Sequence, residues 1–167
     1  MLIYHPAFDI YHGVFRMLRL LEPLPDAEIE VDRVRILDFY LLFPSLLRDV
    51  RFPIGAAKLK KHFVGLANPY ENIEDPKALF MRLEPYQRAA LDALSARGLI
   101  DSEMLASDKV KRVAVELPID LKQAILARNQ GSMEIDLLTG PLFHVDLYGK
   151  SGLKDRSDLF EYRYDAA

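Results

Sequence analysis

Gly149-Lys150-Ser151 has the residue order that closes a phosphate-binding loop, where backbone amides cradle the phosphates and a lysine neutralises them. The full motif also requires a glycine five residues ahead of that triplet, and His144 stands there. No apolar strand runs straight into the triplet with a helix following. The segment from Gly149 to Asp155 therefore reads as a polar connector, and nucleotide hydrolysis is not expected. His5, Asp9 and His12 could be drawn as a metal cluster, since imidazole and carboxylate are the ligands zinc or iron would take. Pro6, however, places His5 outside the helix that carries His12, so the two rings do not converge on one ion. They are expected to hydrogen-bond and to pack an N-terminal arm; no metal and no cofactor is expected.

Asp38 lies in the most apolar stretch of the chain. A carboxylate there is costly unless paired, because a buried charge loses its hydration. Arg33, Arg35, Arg48 and Arg51 are the candidates near in sequence. A structural ion pair is expected at Asp38 rather than a catalytic acid, because no nucleophile or second carboxylate stands at a telling spacing. Nor does a Ser-His-Asp pattern or a carboxylate pair emerge elsewhere. An enzyme is not expected.

Basic side chains cluster twice. Arg48, Arg51, Lys58, Lys60 and Lys61 face only Asp49 between residues 48 and 62, and Lys109, Lys111 and Arg112 follow Asp108. Lys58, Lys60, Lys61, Lys109, Lys111 and Arg112 are candidate contacts to a DNA backbone, of the weak, salt-sensitive kind that ignores sequence. In the preceding helix Arg88 and Arg97 are opposed by Glu84 and Asp92, with few side chains suited to reading bases. Solvated basic faces are the preferred reading.

The elements that must position these residues come from a chain of 167 residues, half of them hydrophobic, enough for one well-filled core. Zero cysteines exclude a disulfide framework, a thiolate nucleophile and cysteine-based zinc sites. A net charge of −3 argues against whole-surface binding to nucleic acid. Met1 to Pro6 lacks a basic leader with an apolar run behind it, so no signal peptide is expected. The longest apolar run, Phe39 to Phe43, is far shorter than the ~20 residues that span a bilayer. A cytoplasmic location away from membranes is expected.

Asp9 can cap a helix to Leu21 with Ile10, Val14, Leu18 and Leu21 inward and Arg16 and Arg19 toward solvent or a partner. Pro23 and Pro25 stop it. A helix from Ile29 to Phe43 is apolar on nearly every side, which predicts burial all round. A short helix is expected over 55–66. Asp75-Pro76 starts the next one, Pro85 restarts it, Tyr86 turns inward, and Gly98 closes it. Leu99-Ile100 and Val113 to Leu117 then read as a hairpin around a polar turn from Ser102 to Lys109. Asp120 caps a helix to Arg128, and Ser132 to Leu138 forms another. Phe160, Tyr162 and Tyr164 alternate with Glu161 and Arg163 as a final strand with an aromatic face. The sum is a mainly α protein with a small β-ribbon, of the α+β class. Its core, residues 1–130, is winged helix-turn-helix-like, and residues 131–167 form a C-terminal extension ending in a strand. Surplus aromatics and imidazoles at the two ends make Tyr4, His5, Phe8, His12, Phe160, Tyr162 and Tyr164 the candidate partner interface.

Two stretches carry a family resemblance. Tyr4-His5-Pro6-Ala7-Phe8-Asp9, with Tyr11-His12 and Phe15-Arg16, resembles the start of middle-component proteins of bacterial ABC three-component systems. Val31-Asp32-Arg33-Val34-Arg35-Ile36-Leu37-Asp38-Phe39-Tyr40-Leu41-Leu42-Phe43-Pro44 is similar to a helix that recurs among them. The resemblance implies a small non-catalytic adaptor working with an SMC-like ABC ATPase and an effector protein in defence against phages and plasmids. It marks Tyr4, His5, Pro6, Phe8, Asp9, His12, Asp38, Phe39, Tyr40 and Pro44 and assigns a catalytic role to none.

Overall fold

A computed structural model describes residues 5–66 and 73–160. Its elements in chain order are α1 (Ile10–Leu21), β1 (Ile29–Glu30), α2 (Val31–Leu42), α3 (Lys60–Val64), α4 (Pro76–Ala96), α5 (Ser102–Ala106), β2 (Lys109–Val110), α6 (Ile119–Asn129), α7 (Met133–Thr139) and α8 (Leu153–Ser157). Tight 3-10 turns at Pro6–Phe8, Pro44–Asp49 and Ala57–Leu59 complete it. The class is the expected one, mainly helical with one small antiparallel pair.

Helix α2 organises the interior because only Asp32 and Leu42 of its residues escape full burial. Val31 and Val34 face one hydrophobic cluster, with Met17, Leu18 and Leu21 of α1, Ala90, Leu91 and Leu94 of α4, and Ile125 of α6. Ile36, Leu37, Phe39 and Tyr40 face a second cluster, with Phe63, Phe80 and Leu83. Residues 135–159 contribute to that second cluster through Ile135, Leu137, Leu138, Leu142, Leu147, Leu153 and Leu159. Each such fully buried large side chain is worth about 1.5–3 kcal/mol, and α2 contributes to both clusters at once.

Helix ends follow local chemistry. Asp9 accepts the amide of His12 at 3.1 Å, and Asp75 accepts that of Ala78 at 3.0 Å, ahead of Pro76. Gly98, at φ +69°, ends α4 in the left-handed conformation while Leu99 donates back to the Leu94 carbonyl. Gly13 lets α1 and α4 approach closely, since a Cβ there would sit 3.2 Å from that of Ala90.

Several expectations are corrected. Pro85 does not restart α4; the helix runs through it, because Pro85 and Met81, whose carbonyl loses its partner, both face solvent. Tyr86 and Ile10 are 39% and 44% exposed rather than inward. Arg16 and Arg19 are each 8% exposed instead of facing solvent, because the second half of α1 is buried all round. The expected polar turn contains helix α5, whose amides at Glu103 and Met104 are both held by Asp101 at 2.9 Å. The expected hairpin shrinks to a bridge between Ile100 and Arg112, and β2 pairs with β1 instead, Val110 opposite Ile29 and Lys109 opposite Glu30. The Asp101 amide donates to the Lys111 carbonyl at 2.9 Å and that of Val113 to the Leu99 carbonyl at 3.0 Å, so the expected segments pair only over this short stretch and Val115 to Leu117 add no strand to it. The first part of the expected long helix, Ile29–Glu30, is that paired strand. The helix expected over 55–66 narrows to α3 and the turn before it, α6 begins at Ile119 after Pro118, and the expected connector at Gly149–Asp155 leads into α8.

Candidate functional site

The polar groups that the apolar patterning forces inward meet between α1, α2 and α4. Asp38, fully buried, accepts Arg16 Nε at 2.7 Å and Nη2 at 3.3 Å. This is a two-pronged carboxylate–guanidinium pair from α1, not from any of the four arginines near Asp38 in sequence. Gln87 of α4, 1% exposed, donates to Asp38 Oδ2 at 2.9 Å and to the Arg35 carbonyl at 3.0 Å. Arg35 donates to Gln87 Oε1 at 3.2 Å and to Asp32 at 3.1 Å, and lies 3.3 Å from Glu84. Lys154 of α8 meets the other oxygen of Asp32 at 3.1 Å. The result is a chain of polar and charged groups, buried at Asp38, Gln87 and Arg35 and half-buried at Asp32 and Glu84, tying four helices together. Gln87 and Lys154 were not legible as members; each is one polar residue on an otherwise ordinary amphipathic segment.

Arg16 and Gln87 between them occupy both carboxylate oxygens of Asp38. Burial and the nearby carboxylates Asp49 and Asp158 push the Tyr40 hydroxyl far above its ordinary 10.0, outweighing its hydrogen bond to the Ser157 carbonyl at 3.3 Å. Tyr40 is therefore a neutral hydroxyl under all ordinary conditions.

The N-terminal candidates are joined to the core by a line of rings. Phe160 packs edge-on to Phe80 at 5.0 Å, Phe80 to Phe39 at 5.5 Å, and Phe39 against Phe43 at 5.3 Å. His5 lies 6.2 Å from Phe43 and 6.0 Å from Phe8, and Phe8 meets Tyr86 edge-on at 5.0 Å. The structure thus connects His5, Phe8 and Phe160 through the core rings, with His5 exposed and Phe8 half-buried. Phe160 is half-buried, with Lys154 Nζ 4.2 Å over its ring. Tyr4, Tyr162 and Tyr164 lie outside the described residues. Tyr86, at the outer end of the line, is open to solvent, and Tyr11 (81% exposed), Ile10 and Met81 are further exposed apolar or aromatic side chains of α1 and α4. Tyr11 and Met81 were not singled out in the sequence, although Tyr11 sits within the N-terminal motif.

His5, Asp9 and His12 do not converge on an ion. His5 Nδ1 accepts the amide of Ala7 at 3.1 Å and Asp9 caps α1, so both act on backbone. Among the described residues no three His, Asp or Glu side chains are grouped to hold a metal. At Gly149-Lys150-Ser151 the Ser151 amide is taken by Asp155 at 2.9 Å, which turns the chain into α8. A cleft of about 440 Å³ between residues 21–26 and 112–117 contains Glu22, Asp26, Glu116, Arg112 and Lys122, and no histidine, serine or threonine lines it. Glu22 there is bound by Arg112.

The basic candidates divide between two places. Lys58 and Lys61 are exposed near α3, while Lys60 donates to the Val50 carbonyl at 3.2 Å and lies over Phe52. Lys109, Lys111 and Arg112 belong to the β2 region, where Arg112 is held by Glu22. The two sets flank different hydrophobic clusters, Phe63 in one and Val110 in the other. No helix among the described residues is long and apolar enough to cross a membrane.

A family model described as ABC-three component (ABC-3C) system Middle Component 5 matches residues 2–165. No curated protein and no solved structure matches the chain.

Proposed function

The chain belongs to the middle component 5 family of ABC three-component systems, and from that premise we propose that it is a non-catalytic adaptor of a bacterial defence complex, docking on an SMC-like ABC ATPase and on an effector. The observation that carries this reading is how its polar groups are used. Seven of the residues that mark the family in this sequence serve architecture: Asp9 and His5 cap, Pro6 and Pro44 start tight turns, Phe39 and Tyr40 fill the core, and Asp38 is occupied by Arg16 and Gln87. A group saturated by fixed donors is poorly placed to work on a substrate.

The docking surface we assign joins the start of α1 to the solvent side of α4 around Phe8, which meets Tyr86 at 5.0 Å and lies under Arg82 at 5.6 Å. Ile10 and Tyr11 of α1 and Met81 and Tyr86 of α4 are exposed. Tyrosine and arginine on a rigid helical base are the residue types that dominate interface energetics, because large amphipathic surfaces are buried at little entropy cost. The test is a double variant, Tyr11→Ala with Tyr86→Ala, co-expressed with the ATPase and effector components. Retention of either partner is expected to drop about tenfold or more, as loss of hot-spot residues does, with the melting temperature nearly unchanged. Full retention would remove this surface from the account.

A further inference from the structure

Four arginines of α1 and α2 are nearly buried, and three of them have a carboxylate at ion-pair distance: Arg16 has Asp38, Arg33 has Glu30, and Arg35 has Asp32 and Glu84. Arg19 is the exception. At 8% exposure it donates Nε to Asn129 Oδ1 at 2.9 Å and Nη2 to the Arg128 carbonyl at 3.2 Å, both neutral oxygens. Among the described residues no carboxylate lies at ion-pair distance from it, and its Nη1 has no hydrogen-bond partner.

The C-terminus of α6, whose carbonyl Arg19 holds, supplies about half a negative charge. That explains the orientation of the side chain but not the sum of charge around it. Arg19 opens onto a cavity of about 280 Å³ that Arg128 also lines, together with Ser132, Glu134 and the left-handed turn at Gly131. Arg128 is exposed and adds a second cation. Glu134 is the one carboxylate on the rim; Ser132 Oγ donates to it at 3.0 Å and His62 lies 3.8 Å away. Burial and the repulsion of Arg128 both weaken Arg19's hold on its charge, and Glu134 offsets them only in part. Two guanidinium groups against one shared carboxylate leave the cavity electropositive.

We propose that this cavity is a receptor for a carboxylate side chain, Asp or Glu, presented by another component of the system. The planar anion matches the free edge of a guanidinium, and a single negative charge is tolerated beside Glu134 where a dianionic phosphate would be repelled. The inference rests on the adaptor reading for its partner but not for its anion, and two measurements separate them.

In the first, acetate and inorganic phosphate are titrated into the full chain at fixed ionic strength while the Arg19 Nε–Hε resonance is followed by NMR. A saturable shift with acetate is expected, weaker with phosphate, and weakened about tenfold in Arg128→Ala by loss of one charged donor. A linear response matching chloride, tighter binding of phosphate, or no change in Arg128→Ala would overturn the site. In the second, Arg128→Glu is co-purified with the other two components. Loss of one partner is expected; full assembly would overturn the assignment to a partner's carboxylate and leave the adaptor reading standing. Failure of the wild-type chain to assemble would instead refute the adaptor reading, and the titration alone would then decide the site.

Discussion

Replacing Asp38 with leucine leaves the Arg16 guanidinium almost wholly buried without its counter-charge. The pair is two-pronged, with Nε at 2.7 Å and Nη2 at 3.3 Å, and Arg16 keeps only the Pro6 carbonyl at 3.5 Å. Removing one partner of a buried pair costs about 3–5 kcal/mol, against a total stability of about 5–15 kcal/mol. At about 2–4 °C per kcal/mol for a chain of this size, the melting temperature should fall by about 6–20 °C. Arg16→Met alone should cost a similar amount by stranding the carboxylate. The double variant, Asp38→Leu with Arg16→Met, should be more stable than either single one, since an apolar pair of similar volume requires no compensation. Gln87 stays satisfied in it by the Arg35 carbonyl at 3.0 Å. Thermal and urea unfolding of the four proteins give the coupling energy directly. The pair Arg48–Asp49, at 3.7 Å with side chains 44% and 70% exposed, is the control and should contribute under about 1 kcal/mol. A single Asp38 variant costing less than about 1 kcal/mol, or a double variant losing the sum of both singles, would refute a structural role for the Arg16–Asp38 pair.

Other outcomes follow from the same geometry. Gly13→Leu should destabilise by about 1–3 kcal/mol, because its side chain meets Ala90 where a Cβ alone already stands 3.2 Å away; circular dichroism melts check it. Burial pushes the Glu30 carboxyl up, but the hydrogen bond and charge of Arg33, with Lys109, more than offset this and hold it below its ordinary 4.5. The stability from that depressed value is present above about pH 4.5 and is lost as the pH falls through the folded value, so Glu30→Gln should flatten the acid limb of a urea-midpoint profile. Replacing Lys58, Lys60 and Lys61 with alanine should leave assembly with the other components intact. If the chain binds DNA through this tract, the same triple variant should lower the salt slope of a gel-shift titration by about one unit per lost phosphate contact.

The elements that local chemistry dictates were legible: the Asp9 cap, the all-round burial of α2, the Asp75-Pro76 start and the Gly98 stop of α4. What was not legible depends on partners far along the chain. Asp38 finds Arg16, 22 positions away, because Arg35 is claimed by Asp32 and Gln87. Arg19 turns inward to meet Asn129, 110 positions on. The apolar run Met17-Leu18 and Leu20-Leu21 held the clue, since it leaves Arg16 and Arg19 no solvent side. The ribbon was misplaced for a similar reason: β2 finds its partner in the two residues before α2, too short a strand to announce itself by alternation.

The reading that this chain acts by docking is tested most directly by its mass in solution with the other two components of its system. Mixed at micromolar concentrations and passed through size-exclusion chromatography with light scattering, the wild-type chain should elute inside a larger species of fixed stoichiometry. If it elutes alone, at the mass of a single chain, beside every partner offered, the adaptor account is contradicted.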